Sequence, residues 1–164
     1  MTKFIVTLVL ALMPTLFFAQ SAFDKFEGRE DITSVSVNKK TFEMLGEMKT
    51  DAKENKDKKG NKDIAKYLGM ADKIDNLKVL TTSSIKATAE LKSTFESYRK
   101  KENLEQLMKV NDGGKNVQIY VKSGKTSSEA KEFLIFVEGG DKIGDETVLV
   151  SLVGDIDLKD IMNK

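Results

Sequence analysis

The chain has 164 residues, and its 27 lysine and arginine residues almost balance its 26 aspartate and glutamate residues, giving a formal net charge of +1 at pH 7. This near-neutral charge argues against a nucleic-acid-binding domain, because such domains usually carry a basic face. The chain has no cysteine, histidine or tryptophan, which excludes disulfide bonds, zinc or copper sites built from cysteine or histidine, and catalytic triads that depend on either residue.

The first residues have the pattern of a secretory signal peptide. A short basic start precedes a largely apolar run over residues 4–18, and small residues follow the run. This order is typical of exported proteins, and the run is too short to cross a bilayer, which needs about 20 apolar residues. We expect cleavage after Ala19, or alternatively after Ser21. The result is a signal peptide over 1–19 and a periplasmic or secreted domain over 20–164 without a stable membrane anchor.

The chain after the signal peptide begins with short elements. Phe23 and Phe26, three residues apart, predict a helical lead-in, and the alternation of side chains over 32–37 predicts a first strand. Asn38 is a favourable N-cap for a helix. The apolar residues that follow at helical spacing, which we interpret as core, are Phe42, Met44, Leu45 and Met48.

Residues 51–63 are predicted to form a solvated loop. Ala52 is their only apolar residue, so the segment has no face to bury. Three of its residues match positions of a calcium-binding EF-hand loop, but Lys66 stands where such a loop needs a bidentate glutamate. We therefore reject a calcium site here.

Two amphipathic helices flank a strand in the middle of the chain. The first follows a possible cap at Asp63, and its apolar residues are Ile64, Tyr67, Leu68 and Ala71. The strand extends over 74–82, with Leu77, Val79 and Thr81 facing one way. A longer helix begins near Ser84, and its apolar stripe is Ala87, Leu91, Phe95 and Tyr98.

The last third of the chain is predicted to be an antiparallel meander of four strands. These strands extend over 104–110, 117–122, 132–138 and 147–153, and glycine-containing turns separate them. The last two are apolar on both faces, so we place them at the centre of the sheet. Asp155 or Asp157 is predicted to cap a C-terminal helix, whose apolar residues are Leu158, Ile161 and Met162.

The predicted order of elements is β-α-α-β-α-β-β-β-β-α. Helices gather in the first half and an antiparallel, meander-type sheet in the second, which indicates an α+β fold with helices packed on one face. No repeat and no linker divides the chain, so we expect a single domain.

Several stretches of the sequence are similar to one known family. They are Val35-Ser36-Val37-Asn38-Lys39 with Phe42, residues 105–110, residues 116–122, and Ser151 to Leu158 with its Gly-Asp-Ile-Asp-Leu close. Over about residues 22–162 the chain resembles the domain of unknown function 4252, a family of exported Bacteroidota proteins. The resemblance implies an exported α+β domain and brings no established activity and no catalytic residues.

One acidic cluster suggests a metal site but has a simpler interpretation. Asp155, Asp157 and Asp160 could hold a divalent cation, but the first two can equally satisfy backbone N–H groups at a helix start. The pairs Gly113-Gly114 and Gly139-Gly140 do not open helices, so we interpret them as hairpin turns rather than phosphate-binding loops. We expect no metal and no cofactor.

Glycoside hydrolysis is the enzyme class that needs only two carboxylates. The acidic residues that could form such a pair are Glu132, Glu138, Asp141, Asp145 and Glu146. The chain has no tryptophan and three tyrosines with which to build a sugar-stacking platform. We assign no catalytic residue.

The sequence favours a non-enzymatic periplasmic module that binds an envelope protein or peptide. Its candidate surfaces are an exposed edge of the meander, which could accept a strand, and a groove between helices and sheet. A small carboxylate-based hydrolase and a carrier of an apolar ligand are the alternatives. A pair of buried, perturbed carboxylates in a cleft would favour the hydrolase, and a large apolar cavity would favour the carrier.

Overall fold

Six antiparallel strands and one long helix are the main elements of the described chain. The computed structural model describes residues 22–44, 73–126, 128–139 and 145–157. Its strands and helix are β1 (Thr33–Asn38), β2 (Ile74–Thr82), α1 (Ile85–Lys101), β3 (Glu105–Asp112), β4 (Lys115–Ser123), β5 (Glu129–Glu138) and β6 (Thr147–Asp157). Residues 22–24 and 39–44 are also helical.

The strands form one sheet in the order β1-β2-β6-β5-β4-β3. Strands β3 to β6 are a meander, as predicted, but β6 then pairs with β2, which lies far earlier in the chain. The α+β fold and the central position of the last two strands are confirmed. The predicted loop over 51–63, the helix after Asp63 and the C-terminal helix lie outside the described residues.

Strand β6 is longer than its sequence pattern indicates. The prediction that it ends at Val153 is wrong, because the start of β5 continues the ladder and places Ala130 opposite Ile156. Asp155 consequently lies inside the strand and does not cap a helix. The predicted cap at Asn38 is confirmed by a hydrogen bond of 3.1 Å from the backbone N–H of Thr41 to its Oδ1.

Helix α1 packs on one face of the sheet and supplies the predicted stripe to the core. Its buried residues are Ala87, Leu91, Phe95 and Tyr98. The ring of Phe95 stacks on that of Phe136 in β5, with centroids 4.8 Å apart. Ser84 accepts a hydrogen bond from the N–H of Ala87 and caps the helix. The other buried members of this core are Phe23, Phe26, Ile32, Leu80, Leu104, Tyr120, Leu134 and Leu149.

The second face of the sheet, opposite α1, is also apolar. Directly paired residues in an antiparallel sheet point to the same face, so the register defines rows of side chains that cross the strands. One row crosses all six strands and consists of Val35, Val79, Val150, Ile135, Ile119 and Met108. A second buried cluster at one end of this face consists of Val121, Ala130, Phe133 and Ile156.

The residues that precede β1 are tied to the sheet by a buried lysine. Phe23 and Phe26 are fully buried, and the amino group of Lys78 in β2 forms ion pairs with Asp24 and, at 2.7 Å, with Glu27. Burial lowers the pKa of Lys78, but its hydrogen bonds to the two carboxylates outweigh that effect and raise the pKa above its usual value. The lysine therefore stays charged and fixes this turn.

We expect Lys78→Ala to lower the free energy of unfolding by about 1–2 kcal/mol, because it removes a nearly buried partner of two carboxylates that remain half-exposed. Urea denaturation measures this change. Lys92→Ala is the matched control, since Lys92 pairs with Glu138 in an exposed position and should cost less than about 1 kcal/mol. Equal losses in the two variants would contradict the role of Lys78.

Candidate functional site

Within the predicted acidic cluster at the end of β6, Asp155 forms an ion pair. The Asp155 side chain is 73% exposed and pairs with Lys131, which lowers the pKa of Asp155. Asp157 ends β6, and Asp160 lies outside the described residues. Among the residues that the structure describes, no group of three or more carboxylates is placed to hold a metal ion.

The glycine of the same motif, Gly154, lies where β6 comes close to the backbone before β2. The backbone N–H of Asp155 donates to the carbonyl oxygen of Lys73 at 2.8 Å, so β6 runs very close to the start of β2. A Cβ atom on Gly154 would stand 2.1 Å from that oxygen. The glycine of the Gly-Asp-Ile-Asp motif therefore allows β6 to pack closely against the start of β2.

Two of the carboxylates proposed for hydrolysis, Glu132 and Glu138, are not brought together. Glu132 and Glu138 lie six positions apart in β5, which separates them by about 20 Å. Glycosidases need carboxyl groups about 5–9.5 Å apart. Glu138 pairs with Lys92 at 2.6 Å, and Asp141 lies outside the described residues, while Asp145 and Glu146 precede β6.

Glu132 is nevertheless an unusual residue, because it is 2% exposed in the core. The hydroxyl of Tyr98 donates to its Oε2 at 2.9 Å, and its Oε1 has no hydrogen-bond partner. Burial raises the pKa of Glu132 to about 7, against the effects of Tyr98 and of the nearby Lys122. The sequence analysis did not predict that Glu132 is buried. Its position two and four residues before Leu134 and Phe136, which face the core, is the pattern that indicates this burial.

A cavity of about 420 Å³ opens beside the N-terminal end of α1. Polar and acidic residues dominate its lining, among them Glu30, Thr82 and Glu146. Thr82 Oγ1 donates to the carbonyl oxygen of Asp31 at 2.5 Å and accepts the N–H of Ser84 at 3.0 Å. Its hydroxyl is thus used by the fold, and the polar lining does not favour an apolar ligand.

Strand β3 is the most exposed element of the sheet. It forms an outer edge, and all of its eight residues are exposed. Leu107, Met108 and Val110 are large apolar residues with exposures of 52%, 50% and 44%. The register shifts between Gln106 and Met108, so Leu107 is the extra residue of a β-bulge. The sequence predicted this strand but not that it lies at the edge.

The turn between β3 and β4 determines which backbone groups of β3 face outward. Gly113 and Gly114 have φ angles of 54° and 85°, which a two-residue type I′ hairpin requires. Asp112 and Lys115 flank this turn and form its hydrogen-bonded pair. Because such pairs alternate with non-bonded ones, Val110 also bonds to β4, whereas Lys109 and Asn111 direct their N–H and C=O groups to the free edge.

Comparison with known proteins supports one assignment. No curated protein and no solved structure matches the chain significantly. Within the described residues, no helix is both long and apolar enough to cross a membrane. A family model described as "Domain of unknown function (DUF4252)" matches residues 26–163. This match covers most of the chain and agrees with the resemblance noted in the sequence, so the chain belongs to the DUF4252 family.

Proposed function

We propose that this DUF4252 protein is an exported, non-enzymatic binding module that captures an extended peptide segment of an envelope protein as an added strand on β3. The single observation that carries the proposal is the fully exposed edge strand with its unpaired backbone and half-exposed apolar side chains.

The outer edge of β3 has backbone groups available for pairing. No strand lies beside its outer edge in the described chain. The outward N–H and C=O groups of Lys109 and Asn111 can therefore pair with an extended segment, in the same way that other sheets bind peptides by strand addition. Such pairing gives affinity without requiring a deep pocket.

The side chains of β3 provide apolar surface that a partner can cover. Met108 and Val110 would be covered by a neighbouring strand, and burial of apolar surface contributes about 25 cal/mol per Å². The opposite edge, β1, offers a shorter strand and less exposed apolar surface. It has six residues against eight in β3, and Val35 is its one large apolar residue with high exposure. This difference favours β3 as the binding edge.

The rest of the described chain supports binding over catalysis. A cluster of buried apolar residues lies between α1 and the sheet. The carboxylate of Glu102 contributes to the raised pKa of Glu132, but Glu102 forms an ion pair with Lys122 at 2.8 Å. An enzyme of the two-carboxylate type would need both groups around one opening. Because Glu132 is 2% exposed, it is closed to a substrate, whereas the exposed edge of β3 is open to a partner.

Export is the remaining part of the proposal, and it rests on the signal-peptide pattern of residues 1–19. We expect the protein recovered from the periplasm or the medium to begin at Gln20 or Ala22. N-terminal sequencing of that protein measures the cleavage point. Full-length protein that remains in the cytoplasm would contradict export.

Strand addition is tested with three capped octapeptides in which valine alternates with glutamate, serine or lysine. Fluorescence anisotropy should show saturable binding of at least one of them. Lys109→Pro should weaken it about fivefold, because proline removes one outward N–H and a hydrogen bond contributes about 1 kcal/mol. Lys109→Ala is the matched control, since it removes the side chain and keeps the N–H.

Amide hydrogen exchange gives a test that needs no variant. The outward N–H groups of Lys109 and Asn111 should exchange quickly in the free protein and become protected when peptide binds. Protection of β1 amides instead, or binding without protection of β3, would contradict the proposed edge.

A further inference from the structure

The two sides of the β3 edge differ in chemistry. Met108 and Val110 pair with Ile119 and Val117 of β4, so their side chains point to the apolar second face. Lys109 pairs with Gln118, whose buried side chain lies on the face that α1 covers. A strand added beside β3 would direct alternate side chains to the two faces of the sheet. Those on the second face would lie beside apolar groups, and those on the α1 side would lie beside polar groups.

The α1 side of this edge carries the positive charge of Lys109. Lys109 is exposed and has no ion-pair partner among the described residues. Nearby, the guanidinium of Arg99, which forms an ion pair with Glu96, lies over the Tyr120 ring at 5.0 Å. The Tyr120 hydroxyl donates to Gln106 of β3 at 2.9 Å. Arg99 is followed by two more basic residues in the last turn of α1. An acidic side chain is the complement of this side.

On the basis of the proposed function, we infer that the bound segment alternates apolar and acidic residues. Its apolar side chains continue the rows of the second face beyond Met108 and Val110, in the manner of cross-strand pairs. Its carboxylates lie beside Lys109, where an opposite charge is favoured and a like charge is disfavoured. The edge thus selects a sequence pattern as well as an extended backbone.

The three octapeptides distinguish this inference from strand addition itself. Wild-type protein should bind the glutamate peptide more tightly than the serine peptide, and the lysine peptide most weakly. The glutamate and lysine peptides should differ by about fivefold or more. Lys109→Glu should reverse that order. The preference should shrink at high salt, because the charges are exposed and screened.

Lys115→Glu is the matched control, because it makes the same charge change in β4, one strand away from the edge. It should leave the preference for the glutamate peptide in place. Equal binding of all three peptides, still weakened by Lys109→Pro, would overturn the acidic preference and leave strand addition intact. An unchanged order in Lys109→Glu would also overturn it. Failure of all three peptides to bind would overturn both proposals.

Discussion

The Gly154→Ala variant should lose about 3 kcal/mol or more of its free energy of unfolding. The added Cβ would stand 2.1 Å from the carbonyl oxygen of Lys73 and 2.9 Å from the Cα of Ile74. Both atoms belong to the backbone, so the contact is not relieved by rotating a side chain, and overpacking of this kind costs about 1–3 kcal/mol or more. The hydrogen bond from Asp155 to Lys73 would be strained as well.

Urea denaturation followed by circular dichroism measures the loss. Gly113→Asn is the matched control, because nothing lies within 4 Å of an added Cβ there and asparagine tolerates its positive φ better than most residues. It should cost less than about 1 kcal/mol. A Gly154→Ala protein as stable as this control would show that β6 does not pass so close to β2.

The second large effect is expected from Glu132→Gln, and it depends on pH. Burial raises the pKa of Glu132 from 4.5 to about 7, so the folded state holds a proton that the unfolded state has lost between these values. The contribution of this proton to the free energy of unfolding is fully present below about pH 4.5. It is lost as the pH rises through 7. The pKa difference corresponds to about 3 kcal/mol.

Glutamine resembles the protonated carboxyl group and does not titrate. Glu132→Gln and wild type should therefore have similar free energies of unfolding at pH 4, while at pH 8 the variant should be more stable by up to about 3 kcal/mol. Urea unfolding over this pH range measures the difference. Glu138→Gln, which alters an exposed ion pair in the same strand, should leave the slope of wild type unchanged. A Glu132→Gln curve parallel to wild type would contradict the raised pKa.

Local patterns predicted the elements whose partners are close in sequence. The apolar stripe of α1 and the bounds of β2 follow from periodicity, because a helix or strand with one buried face must repeat its apolar residues at that period. The central position of β5 and β6 followed from their apolar character on both faces. The cap at Asn38 followed from residue chemistry.

Features set by pairing between distant segments were not predictable in the same way. The extension of β6 to Asp157 depends on the start of β5, and the edge position of β3 depends on β6 pairing with β2. The burial of Glu132 was missed for the same reason, since Tyr98 reaches it from α1. The sequence therefore predicted that an exposed strand edge could bind a partner, but it did not predict which strand forms that edge.

The position of β6 in the sheet has a consequence for folding during synthesis. This last strand lies between β2 and β5, so the sheet is completed only when residues 147–157 become available. Before that point the chain can form only β1 with β2 and, separately, β3 with β4 and β5, and each part keeps an open edge where β6 belongs. Until β6 is made, two strand edges with unpaired backbone groups are therefore open to incorrect pairing or to a chaperone.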